Sequence, residues 1–452
     1  MEELRKLGAQ WRDDLIATWR ALDLAGRATT LTDRVGKALI VADALLTERF
    51  WLWCGLLIGL VALIFLYYAP IIGGNWYRGG NDMIYILPAA KAALPRGWNA
   101  AQDWLNGPWI GKELFVYYRP VTSIIWYGLY RAFGENSAPY QALAVALHAA
   151  SVAMIACLLR RVFGPPLAAL GAALLWGMRH QMADALEWTP AMTDILAGFF
   201  GIGALLVLQR GLDTRRYAIL MPVTIGLMVL AMGSKEIALT IPLLAGLLIL
   251  HHPKLNRGER FVLLLLVGAI LVGFFAWRLH CLNGMGFMPG QGVQGRSNAS
   301  TFTLQKWMEA MVKYLVPAPI NPFYGVSVIA AVAGFVVWWL YLFQQSVAGR
   351  WIVGIGGAYL LNYLMQYTLF LFDPGPFIML FAGMVTIALL FFVVWNRPRD
   401  AVFLFAYGLI AHIPLYHVVY NAVGNVTYLP ETFWAFANAA LFATTIDFLR
   451  RE

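Results

Sequence analysis

Apolar residues along this chain fall into runs of about 20, broken by short polar stretches. A helix of that length matches the roughly 30 Å hydrocarbon core of a bilayer. The first run is Phe50–Tyr68. Others follow at 138–159, 166–183, 190–209, 216–233, 237–252, 260–278, 324–344, 350–372, 375–395, 400–420 and 431–449. The pattern predicts an all-α polytopic membrane protein with about 12 transmembrane helices. Arg119–Phe133 is also apolar, but its 15 residues make only about 22 Å of helix, too short to cross.

Charge placement agrees with leaving that stretch out. The short loops on one side then hold Arg160-Arg161, Arg210 with Arg215-Arg216, Lys254 with Arg257 and Arg260, Arg397 with Arg399, and Arg450-Arg451. Those on the other side hold Arg179, Lys235 or no Lys/Arg at all. Lys and Arg mark the cytoplasmic side, so both termini are expected there. Arg119–Phe133 becomes a helix lying flat at the outer interface, with Pro120 in its first turn.

This reading divides the chain into four parts. Residues 1–48 form a cytoplasmic segment with Leu4, Leu7, Trp11, Leu15, Trp19 and Leu22 on one helical face. It is either an interfacial helix or a solvated tail. Residues 49–279 form a transmembrane core with a long first outer loop at 70–137. Residues 280–323 form a second outer loop, where Leu304, Trp307, Met308, Met311, Val312 and Leu315 predict an amphipathic helix. Further spans occupy 324–452.

Composition sharpens the class. The chain is 60% hydrophobic and 13% charged, against about 25% charged in soluble domains. The formal net charge of +9 reads as loop orientation and contact with membrane lipids, not nucleic-acid binding. The apolar start at Phe50 gives an uncleaved first span instead of a signal peptide. Three cysteines make no disulfide framework.

Candidate chemistry gathers on the expected outer side. Its carboxylates are Asp82, Asp103, Glu113, Glu135, Asp184, Glu187, Asp194, Glu236, Glu309, Asp373 and Glu431. Asp194 opens a span, and Lys235-Glu236 lies between two spans; ionisable groups at such depth are expensive and point to function. A tight interfacial turn is the alternative for Lys235-Glu236. Asp82 follows Gly79-Gly80-Asn81 and suits either a general base or a turn. Tyr117-Tyr118-Arg119-Pro120 stands at the mouth of the flat helix, where a guanidinium pairs with phosphate or anchors lipid. The seven histidines lack metal-site spacing, and no Walker loop is present. Asp82 with other outer carboxylates offers oxygen ligands for Mg²⁺ or Mn²⁺ without the spacing that would require either.

Taken in order, three of these clusters resemble the GT-C membrane glycosyltransferases, close to the protein O-mannosyltransferases and the transmembrane-TPR mannosyltransferases. The matching residues are Asn81-Asp82, Tyr118-Arg119-Pro120, Phe133-Gly134, His148 and Arg160-Arg161. Further on, Arg179–Asp184 with Trp188 and Ala191–Asp194 stand where the family has HPxHxE, Trp and GRxD. Ser234-Lys235-Glu236 with Pro242 matches SKExxxxxP. The resemblance covers roughly residues 70–250, and no TPR repeats lie in these 452 residues.

The resemblance implies transfer of a sugar from a polyprenyl-phosphate-linked donor to a protein or glycan acceptor at the outer face. Asp82 would be the base deprotonating the acceptor. Arg119 and Lys235 would hold the donor phosphate, with Tyr118, Asp184, Asp194 and Glu236 orienting substrate or cations. The expected location is the bacterial cytoplasmic (inner) membrane. HPxHxE has lost both histidines and its proline here, and GRxD has lost its glycine and arginine. A second reading is therefore a non-catalytic GT-C-like scaffold or accessory subunit among other membrane subunits. A third is a transporter or lipid flippase.

Overall fold

The computed structural model describes residues 31–74, 86–109, 117–282, 393–394, 396–412, 428–430 and 432–451. The described residues are helical, without strands. In chain order the helices are α1 (Leu31–Glu48), α2 (Phe50–Tyr68), α3 (Leu87–Ala93), α4 (Trp98–Asn106), α5 (Pro120–Phe133), α6 (Ala138–Phe163), α7 (Pro166–Gly177), α8 (His180–Glu187), α9 (Met192–Thr214), α10 (Tyr217–Met232), α11 (Thr240–His251), α12 (Arg257–Cys281), α13 (Pro398–His412) and α14 (Thr432–Arg451).

Five described segments are long and apolar enough to cross a membrane: Phe50–Ile71, Ala138–Phe163, Thr189–Thr214, Arg257–Cys281 and Thr432–Arg451. Pro166–Gly177, Tyr217–Met232 and Glu236–His251 are shorter apolar helices. The runs at 324–344 and 350–372, and the amphipathic faces at 4–22 and 304–315, lie outside the described residues.

Local sequence sets several helix ends. Pro120 and Pro166 occupy first-turn positions of α5 and α7, where a missing N–H costs nothing. Asn256 and Glu259 form a reciprocal capping box at the start of α12 (2.8 and 3.0 Å). The run read as 166–183 is interrupted, because α7 stops at Gly177. The Gly177 carbonyl instead accepts from Tyr68 Oη and His148 Nε2 (3.0 and 2.9 Å).

The core is centred on α9, whose apolar length is mostly buried, packed against α6 and α10. By contrast α2 and α12 turn residues such as Trp51, Ile58, Phe261 and Val272 outward, as a lipid-facing helix does.

Side-chain contacts give the bundle two distinct ends. At one end, Asp43 of α1 accepts from Leu167 N and from Arg450 (2.8 Å each). Arg161 pairs with Asp213 (2.8 Å), His252 meets the same carboxylate (3.2 Å), and Arg397 bonds the Phe163 carbonyl and Asp400. The basic loops at 160–161, 213–216, 252–260, 397–399 and 450 therefore meet at one end. At the opposite end Gly73 N donates to Gln141 (2.8 Å), and Tyr140 donates to Gly134 O (2.8 Å). The start of α5 packs on Gly233 at the end of α10, and its last residue adjoins the start of α6. Both termini of α5 lie at this second end, so the helix does not traverse the bundle.

Candidate functional site

The site is built where α5 begins. Val121 N donates to Gly233 O (3.0 Å) and Thr122 Oγ1 to Ser234 O (3.0 Å). This seats the start of α5 on the turn between α10 and the 3-10 helix Glu236–Leu239. A Cβ at Gly233 would stand 2.9 Å from Val121 Cγ2, so the close approach requires glycine. The first N–H of α5, on Val121, thus points at a protein carbonyl.

Docking brings together residues more than 100 positions apart. Arg119 donates from Nε and Nη2 to Glu236 Oε2 (2.9 and 2.7 Å), while Tyr118 N reaches Glu236 Oε1 (3.3 Å). Lys235 Nζ, facing α9, pairs with Asp194 Oδ2. Asp194 lies in the first turn of α9, where the helix dipole favours a carboxylate. Its side chain is 1% exposed, and its Oδ1 has no hydrogen-bond partner among the described residues. Burial pushes the Lys235 ammonium below the ordinary lysine range, against the opposing pull of Asp194.

Aromatic rings complete one side. The Arg119 guanidinium lies over Tyr117 (4.3 Å) and Trp109 (5.0 Å), a cation–π arrangement that supplements its ion pair. Tyr118 Oη accepts from Trp277 Nε1 (2.9 Å) and donates to Leu105 O (2.8 Å). Burial pushes that phenol up to about 12, so it stays protonated and braces α4, α5 and α12 together.

Four of the residues singled out from sequence therefore converge directly: Arg119, Lys235, Asp194 and Glu236, with Tyr118 as their brace. Asp184 lies on α8, which leads into the Asp194 segment. Asp82 falls outside the described residues. Among the described residues no group of three His, Cys, Asp or Glu clusters as metal ligands. His148 is buried between Tyr428 (2.7 Å) and the Gly177 carbonyl (2.9 Å). Since a carbonyl only accepts, Nε2 carries the proton and Nδ1 accepts from Tyr428. Arg160 and Arg161 belong to the opposite end, on Trp53 (4.5 Å) and Asp213.

Arg278 was not among the sequence candidates. It is the last residue of the apolar run at 260–278, where an arginine reads as a membrane-edge anchor. In the fold it is buried, within electrostatic range of Glu236 and Arg119. Weighing it as an ionisable group inside a span would have found it.

No protein-family model, curated protein or solved structure matches this chain.

Proposed function

We propose that this chain is a GT-C-like membrane glycosyltransferase of about twelve spans. It moves a sugar from a polyprenyl-phosphate-linked donor to an acceptor at the outer face of the bacterial inner membrane, with both termini cytoplasmic. The observation that carries the reading is the convergence of Arg119–Glu236 and Lys235–Asp194 at the end of the bundle opposite the basic loops.

Displacing a lipid phosphate from a sugar requires fixed positive charge at the leaving oxygens and a base at the attacking hydroxyl. Arg119 and Lys235 supply the first. Asp82 takes the acceptor proton as the acceptor oxygen bonds to the anomeric carbon, and the C–O bond to phosphate breaks toward the cations. Glu236 and Asp194 hold the two cations apart and fixed, so little reorganisation is needed when charge develops. The Asp194 Oδ1 without a described partner suits a sugar hydroxyl. A site at the bundle end lets the polyprenyl chain stay in lipid.

The scaffold reading has one observation in its favour: each of the two cations already has a carboxylate partner. Turnover separates the two. The purified chain in proteoliposomes, given a polyprenyl-phosphate-linked hexose and an acceptor panel, should release polyprenyl phosphate. Lys235→Gln should lower that rate by roughly a hundredfold, the scale of losing one preorganised electrostatic group. A folded wild-type chain that neither binds nor turns over such donors supports the scaffold instead.

A further inference from the structure

The outward side of α12 carries Phe261, Leu265 and Val272, and in the last turn Trp277 is 47% exposed. A tryptophan at the end of a membrane helix ordinarily lays its ring against acyl chains and turns its N–H to the headgroups. Trp277 instead turns Nε1–H inward and donates it to Tyr118 Oη at 2.9 Å. Tyr118 is buried, and its hydroxyl donates onward to Leu105 O at 2.8 Å. Two further contacts lead from Tyr118 to the cation. Tyr118 N donates to Glu236 Oε1 (3.3 Å), and Arg119 grips Oε2 of the same carboxylate through Nε and Nη2 (2.9 and 2.7 Å). A shift of Tyr118 therefore moves the backbone that sets where the Arg119 guanidinium sits. Trp277 thus has its ring at the outer surface and its N–H in the frame of the site.

We propose that Trp277 is a positioning residue whose N–H, acting through Tyr118, fixes Arg119 for the donor phosphate, while its exposed ring receives the isoprenoid chain on that phosphate. The proposal deepens the glycosyltransferase reading and rests on it for the identity of the lipid. An anion held at Arg119 leaves its attached chain at the start of α5, and the apolar surface bonded to that start is the Trp277 ring. Apolar contact with a flat aromatic ring suits an isoprenoid chain, which offers no hydrogen-bonding groups of its own. A phospholipid also joins a phosphate to an apolar chain, so the test includes both.

The full chain in phosphatidylcholine nanodiscs is titrated with polyprenyl phosphate, uncharged polyprenol and phosphatidylglycerol, with melting temperature measured in parallel. Trp277→Phe keeps an outward ring and loses the N–H. Phe274, whose ring centroid is 6.0 Å from that of Tyr118, and the Cys281 Sγ contact to Leu105 O at 3.8 Å keep α12 seated in this variant. It should weaken polyprenyl-phosphate binding about two- to tenfold, the scale of one neutral hydrogen bond, and leave polyprenol binding unchanged. Trp277→Ala loses the ring as well and should weaken polyprenol binding too. In a Tyr118→Phe background, which lacks the accepting oxygen, Trp277→Phe should cost nothing further. If Trp277→Ala does not fold, Trp277→Phe and its Tyr118→Phe cycle decide. A folded Trp277→Phe with wild-type affinity for polyprenyl phosphate overturns the positioning role, as does an equal loss in both backgrounds. A folded Trp277→Ala that binds polyprenol like the wild type overturns the chain contact. A wild type that binds neither anion overturns both. Trp277-dependent binding of phosphatidylglycerol without polyprenyl phosphate keeps the positioning role and removes the glycosyltransferase reading.

Discussion

Lys235 and Asp194 leave water together, and their stability consequences follow from that. Removing one partner strands the other charge in an apolar interior, at a cost of about 3–5 kcal/mol. Asp194→Leu and Lys235→Met should therefore each lower the melting temperature in detergent. The double variant should recover most of the loss, and additive losses would contradict a shared buried pair. The pH dependence has a defined sign. Because burial lowers the Lys235 pKa, its positive charge is present at low pH and lost as pH rises, before the ordinary lysine value of 10.5 is reached. Polyprenyl-phosphate binding should weaken over that range, and Lys235→Arg should hold binding to higher pH. An unchanged profile in Lys235→Arg would show that another group titrates. These residues were legible because a charge beside or inside an apolar run is conspicuous. Their pairing was not: Lys235 and Glu236 are adjacent in sequence, yet each takes a partner from a different helix. That choice follows from the turn geometry after α10 and from the seating of α5, which periodicity does not encode. Arg278 stayed hidden because a helix-end arginine looks the same in sequence whether it extends to the headgroups or turns inward.

At the scale of elements, helix length and loop charge carried the information. Fourteen residues from Pro120 to Phe133 do not reach across a bilayer as a helix, and both ends of α5 lie at one end of the bundle. The helix α7 ends at Gly177, just ahead of the polar Arg179-His180-Gln181, so the break was legible to within two residues, and only its tie to the distant Tyr68 and His148 was not. The same region shows how the C-terminal part locks to the core. Tyr428 inserts against α9 at Gly198, where a Cβ would meet its ring at 2.4 Å, while its hydroxyl bonds His148. Gly198→Ala should cost about 1–3 kcal/mol by overpacking, read as a lower melting temperature. In a Tyr428→Ala background the same substitution should cost nothing further. An equal cost in both backgrounds would place the strain elsewhere.

For the whole molecule, the basic loops bound one end and the two buried ion pairs occupy the other. Under the proposed orientation, Lys91 on α3 lies on the outer, periplasmic face and Lys254, after α11, on the cytoplasmic face; both are exposed. In a chain whose three cysteines are replaced, an impermeant maleimide should label Lys91→Cys in intact cells and Lys254→Cys only after permeabilisation. The reverse pattern would invert the topology and move the candidate site to the cytoplasm. Composition alone said only that the chain belongs in a membrane, whereas the distribution of its few charges located the site. The most direct measurement is intact-glycan mass spectrometry of cells that carry the wild-type chain, lack it, or express Asp82→Asn at wild-type abundance. A lipid-linked glycosyltransferase predicts a glycoform present with the wild type and missing from both of the others. Identical glycan profiles in all three, or full restoration by Asp82→Asn, would contradict it.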